Sequence, residues 1–232
     1  EGEYSSFIYE SVTANEGGAG QIYSVDVVNV SIKPADGIIS GTKVLNGRDF
    51  QKDDHFTFEI EACPEPSKTD KFAMTTEDIA KTLPGKTLVT LYPGMTEDEV
   101  GALPESEDSV LMAGEVFSFD LHFTKPGTYH YVVNEKRPES DSSEYAGIPG
   151  VTYDPMQYHV IVEVNMDENG ELKPEATTVW ARNTNARASW PEINLLTGED
   201  GATIPIENAL RFENTYNPAE ITRFFLVRKI LV

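Results

Sequence analysis

A chain of 232 residues that is 39% hydrophobic and 10% aromatic has enough apolar side chain to form a core, which excludes global disorder. A formal net charge of −21 repels nucleic acid and anionic lipid, so neither is expected as a partner. The single cysteine, Cys63, rules out an internal disulfide, and no apolar run is long enough to span a bilayer.

No signal peptide opens the chain and Glu1 is not a natural start, so it reads as a processed or excised piece. Residues 1–37 read as a lead-in, as the remnant of a preceding module, or as strands added to this one, with candidate strands around Ser6–Thr13 and over Gln21–Lys33. A turn is expected at Pro34-Ala-Asp-Gly37. The next strand, Ile38–Gly47, puts Ile39, Gly41, Lys43 and Leu45 on one face and ends at the turn pair Asn46-Gly47. His55–Ala62 alternates cleanly, with Phe56, Phe58 and Ile60 inward.

Residues 63–110 are irregular. Thr75–Leu83 predicts a short helix, capped by Thr75 or Thr76 with Glu77-Asp78 in its first turn. Lys86–Tyr92 predicts a strand. The acidic clusters Glu97–Glu99 and Glu105–Asp108 fit no metal-ligand spacing and read as solvated loop charge. Val116–Phe123 then presents Phe117, Phe119, Leu121 and Phe123 on one face. After the turn Lys125-Pro126-Gly127, Tyr129–Glu135 lines Tyr129, Tyr131, Val133 and Glu135 along one side.

Arg137–Pro149 is a polar loop, Val151–Pro155 a turn, and Tyr158–Val164 a strand. Asp167-Glu-Asn-Gly170 closes a hairpin that continues through Thr177–Ala181. Pro191–Asn208 is loop-rich, and the last strand places Leu210, Phe212, Asn214 and Tyr216 on one face. His122, His130 and His159 have no paired spacing and read as solvent-face residues. Many short strands, closely spaced turns and little helical periodicity predict an all-β sandwich.

Lys43, Glu135 and Asn214 each sit in line with apolar neighbours, and each is costly to bury alone. Together they suit one reaction: a lysine amine attacks an asparagine amide, ammonia leaves, and an isopeptide bond remains. Five stretches carry a family resemblance. They are Lys43-Val-Leu-Asn-Gly-Arg-Asp, His55-Phe-Thr-Phe-Glu, Thr124–Glu135, Gly150-Val-Thr-Tyr-Asp154 and Phe212-Glu-Asn-Thr-Tyr216. In this order they resemble the isopeptide-linkage domains of Gram-positive pilins and cell-wall adhesins, which are immunoglobulin-like, CnaB-type β-sandwiches. The resemblance covers residues 38–217, with 63–110 as an irregular insertion that has room for a short helix.

The resemblance implies that Lys43 is the amine, Asn214 the amide and Glu135 the catalytic acid. Burial lowers a lysine pKa and raises a carboxyl pKa, which suits a neutral Lys43 beside a protonated Glu135. Glu135 is expected to hydrogen-bond the Asn214 carbonyl and shuttle a proton to ammonia, in a dry core formed by Tyr129, Tyr131 and Phe212. The reaction happens once per chain, so the protein is not expected to be an enzyme, and no metal or cofactor is called for.

The implied function is a structural module of an extracellular pilus or adhesin, with neighbouring modules or pilus subunits as partners. The alternative is an adhesin domain that binds host glycan or protein through its 63–110 and 182–208 loops, with Trp180 and Trp190. Neither a Leu-Pro-x-Thr-Gly sorting signal nor a Tyr-Pro-Lys pilin motif occurs in the chain. The apolar tail over residues 218–232 reads as the opening strand of a following module, with a strand that completes this domain or a neighbour's, and a short amphipathic helix, as the alternatives. Its Lys229-Ile-Leu echoes Lys43-Val-Leu.

Overall fold

The computed structural model describes residues 31–63, 73–137, 147–186, 190 and 193–217. The strand expected at 6–13, residues 21–30 of the strand expected over 21–33, and the tail strand lie outside the described residues; of residues 31–33, Lys33 makes an isolated bridge to Glu171. Among the described residues, ten strands and three short helices follow in order. They are β1 (Ala35–Asn46), β2 (Phe56–Ala62), α1 (Thr76–Ala80), β3 (Leu88–Tyr92), α2 (Glu97–Gly101), β4 (Ser109–Ala113) and β5 (Val116–Phe123). After these come β6 (Gly127–Glu135), β7 (Val151–Thr152), β8 (Met156–Met166), β9 (Leu172–Asn183), α3 (Ile206–Ala209) and β10 (Arg211–Tyr216).

The strands form a two-sheet sandwich. One sheet has the order β5-β1-β10-β7 and the other β4-β3-β2-β6-β8-β9. The strand alternation read from the sequence decides which side chains lie between them. Phe117 of the first sheet stacks on Phe58 of the second, with ring centroids 3.9 Å apart, and Phe212 packs beside both. Each fully buried ring of this kind contributes about 1.5–3 kcal/mol through burial.

Strand β1 starts earlier than expected. The predicted turn at Pro34–Gly37 is instead strand from Ala35, and Gly37 pairs with Leu121. The physical reason is close packing, because a Cβ on Gly37 would lie 2.8 Å from the Phe123 ring. The Asn46-Gly47 stop holds, with Gly47 at φ 99°, where only glycine is unstrained.

Helix α1 forms where predicted, with the Thr75 hydroxyl accepting from the Asp78 amide. The acidic stretch Glu97–Glu99 is not loop but the first turn of α2. Thr96 and Glu99 form a reciprocal capping box there, and the acids face the positive end of the helix.

The histidines also differ from expectation. His122 is exposed, with Nδ1 2.7 Å from Asp36. His130 and His159 are instead buried on the outer face of the larger sheet, ring nitrogens 3.0 Å apart. Antiparallel pairing of β6 with β8 makes the two positions diagonal neighbours, which their distance in sequence hides. Burial, then the neighbouring His130, pulls the His159 pKa down to about 4.

Candidate cross-linking site

Two strand pairings set up the site. Strands β1 and β10, remote in sequence, lie side by side in parallel, with Lys43 opposite Phe212 and Leu45 opposite Asn214. Lys43 and Asn214 therefore project from the same face, two positions out of register, and the long lysine side chain spans the offset. From the facing sheet, β6 ends at Glu135, opposite Phe58 on β2. Lys43 and Asn214 are wholly inaccessible to solvent and Glu135 is 6% exposed.

The Glu135 carboxylate bridges the other two side chains. Lys43 Nζ lies 2.8 Å from Oε1 and 2.9 Å from Oε2. Asn214 Nδ2 donates to Oε1 at 2.9 Å. The other end of the amide is also held, because the backbone N–H of Asp154 donates to Asn214 Oδ1 at 2.7 Å. A backbone N–H can only donate, so the amide oxygen must face Asp154 and the amide nitrogen must face Glu135. The Phe56 ring closes the pocket over Lys43, with Nζ 4.7 Å from its centroid.

Burial dominates the electrostatics. It pulls the Lys43 pKa down to about 8, against the opposing pull of the Glu135 carboxylate. It pushes the Glu135 pKa up, although Lys43 and Asn214 both favour its ionised form. Both shifts favour the neutral pair, an amine beside a carboxylic acid.

The structure thus brings Lys43, Glu135 and Asn214 together, with Phe212 beside them. Two details differ from the sequence reading. Glu135 faces the amide nitrogen rather than the carbonyl, because the Asp154 N–H holds the oxygen. Tyr129 and Tyr131 are core residues but do not adjoin the trio. Tyr129 packs edge-on against Phe123 and donates to the Lys125 carbonyl, and the Tyr131 hydroxyl meets Thr82. At about 3.3 Å per residue along β6, Tyr129 lies roughly 20 Å from Glu135. Their places at the site are taken by Phe56 and Phe58. Asp154 is a site residue that strand alternation does not single out. Its signal in the sequence is the pair Asp154-Pro155, in which proline holds the preceding residue extended.

Residues 39–217 match the family model described as FctA, Spy0128-like isopeptide containing domain. No curated protein matches the chain. Among solved structures, the chain is similar to the major pilin from Streptococcus pyogenes, at 20% identity and a TM-score of 0.40. That match covers 82% of this chain and 51% of the pilin. It is also similar to the major pilin protein T3.2 from Streptococcus pyogenes serotype GAS13637, at 17% identity and a TM-score of 0.34, over 79% of this chain and 54% of that one. The chain spans about half the length of these pilins. Because the family match runs from β1 to the end of β10, the chain belongs to the FctA family of Spy0128-like isopeptide-containing domains.

Proposed function

We propose that Lys43 and Asn214 join through an isopeptide bond with Glu135 as proton carrier, and that the bonded domain, residues 38–217, is a tension-carrying module of an extracellular Gram-positive pilus or adhesin. The observation that carries this reading is a buried carboxylate within hydrogen-bond distance of both the amine and the amide nitrogen.

The chemistry follows from that contact. Lys43 gives a proton to Glu135 and becomes a neutral nucleophile. Its Nζ attacks Asn214 Cγ, and the negative charge gathering on Oδ1 meets the Asp154 N–H. Glu135 returns the proton to Nδ2, the Cγ–Nδ2 bond breaks and ammonia leaves. Glu135 then takes the surplus proton from Nζ, leaving a neutral amide. No external reactant is consumed. The fold contributes proximity, holding the groups in place without water.

The parallel pairing of β1 and β10 gives the bond a mechanical use. Tension entering at the start of β1 passes along the strand to Lys43, crosses to Asn214 and leaves at the end of β10. Everything between the two residues then lies outside the loaded path. The bond is not reducible, which suits an extracellular chain with one cysteine.

Intact mass under denaturing conditions tests the reading. A mass lower than calculated by one ammonia, and a branched peptide joining Lys43 to Asn214, are expected; the full calculated mass would overturn it. The alternative of ligand binding through Trp180 and Trp190 gains less support. Trp180 packs edge-on against His159, and Trp190 lies against His159 and under Arg182, so both serve to cover the sheet.

A further inference from the structure

We infer that the Asp154 side chain is the positioning group of the cross-linking reaction: its carboxylate anchors the β7–β8 turn to β10, so that its own N–H fixes which end of the Asn214 amide faces Glu135. The inference rests on the reading that Lys43 and Asn214 react.

Strand β7 is only two residues long and pairs with β10 at Thr215 and Tyr216. Continued by two residues, this antiparallel register sets Asp154 opposite Glu213. The backbone ladder has ended by then, and the Asp154 side chain replaces it. Oδ2 accepts from the Glu213 N–H at 2.7 Å, while Oδ1 accepts from the Met156 N–H at 2.9 Å. The second bond is a local Asx-type turn across Pro155, which has no N–H of its own. Pro155 also restricts Asp154 to extended backbone. Held on both sides and nearly buried, Asp154 has little freedom to move its N–H away from Asn214 Oδ1.

The orientation decides the chemistry. With oxygen toward Asp154, the leaving nitrogen faces the group that can protonate it. Turned over, the amide would set its NH2 against a backbone N–H, two donors with no acceptor, and ammonia would have no proton source. The Asp154 charge favours the protonated form of Glu135, and by the same field it keeps the proton on Lys43 until Glu135 takes it. One side chain thus orients the electrophile and supports the acid.

The test uses the full chain made by cell-free translation, with ammonia loss followed by intact mass over time and across pH. Asp154→Asn keeps the shape but cannot accept both N–H groups and has no charge. It is expected to react about tenfold more slowly, the effect of one lost hydrogen bond. The fall in its rate at rising pH, where the Lys43–Glu135 pair loses the proton that the leaving ammonia needs, is expected to move to lower pH, because the Asp154 charge favours the protonated form of both groups. Asp154→Ala removes both anchors, and a loss of about a hundredfold is expected, as for a misplaced oxyanion donor. A merely structural Asp154 would lower stability but leave the rate and the pH limb of Asp154→Asn unchanged, and that result overturns the inference. A wild-type chain that never loses ammonia overturns the cross-linking reading itself.

Discussion

Replacing Glu135 by Gln separates the chemistry from the packing. The amide has the same shape, so the glutamine can still accept from Asn214 Nδ2 and from Lys43. It cannot carry a proton between them. Positioned acid–base groups contribute about 10²–10⁴ in rate, so the bond is expected to form at least a hundred times more slowly. Removing the carboxylate also removes the main influence that keeps the Lys43 pKa up, so the amine stays neutral and no buried charge is stranded. The stability change then reports the missing bond. Lys43 and Asn214 close a loop over most of the domain, and loop-closure entropy puts the bond at about 5 kcal/mol. At about 2–4 °C per kcal/mol for a domain of this size, Glu135→Gln is expected to melt roughly 10–20 °C below wild type. Mass spectrometry and a thermal melt on the same preparation give both quantities. A Glu135→Gln chain that loses one ammonia at the wild-type pace would refute the proton-carrier role, and an unbonded chain melting with wild type would refute the stability argument.

Asn214→Ala leaves Lys43 as a titrating amine. Its folded pKa, about 8, lies below the ordinary lysine value of 10.5, so between these pH values the folded state binds fewer protons. The stability of Asn214→Ala is therefore expected to rise across that window relative to cross-linked wild type, whose Lys43 nitrogen no longer titrates. Chemical denaturation at several pH values checks this, since the tyrosine contribution is common to both proteins. Under force applied at the chain ends, wild type is expected to keep the segment between Lys43 and Asn214 folded. Glu135→Gln is expected to release roughly 600 Å at about 3.5 Å per residue, read by single-molecule extension. Gly41→Ala would set its Cβ on the Phe117 ring and 2.8 Å from the Leu210 carbonyl, and is expected to cost about 1–3 kcal/mol by denaturant titration. Thr75→Ala removes the α1 cap and is expected to cost about 1 kcal/mol, with no change in cross-linking.

The strand faces were legible from alternation alone. A period of two marks which side of β1, β2, β5 and β10 is buried, whatever strand lies alongside. Alternation also drew attention to Lys43, Glu135 and Asn214, because a polar residue within an apolar face is a local anomaly. The all-β sandwich followed from the density of short strands and turns, and the family resemblance supplied the sheet architecture that alternation cannot.

What alternation could not reach depends on pairing between distant segments. The diagonal contact of His130 with His159 exists only because β6 and β8 are antiparallel in one register. Helix α2 was hidden because its acids read equally well as loop charge until the Thr96–Glu99 capping box formed. The length of β6 moved Tyr129 and Tyr131 away from the trio, although they share its face. The role of Asp154 depends on β7 ending two residues early, so that a side chain does the work of a strand. Sequence carries periodicity, and periodicity determines which way a side chain points. Which residue it meets is decided by register, and register is a property of two strands together.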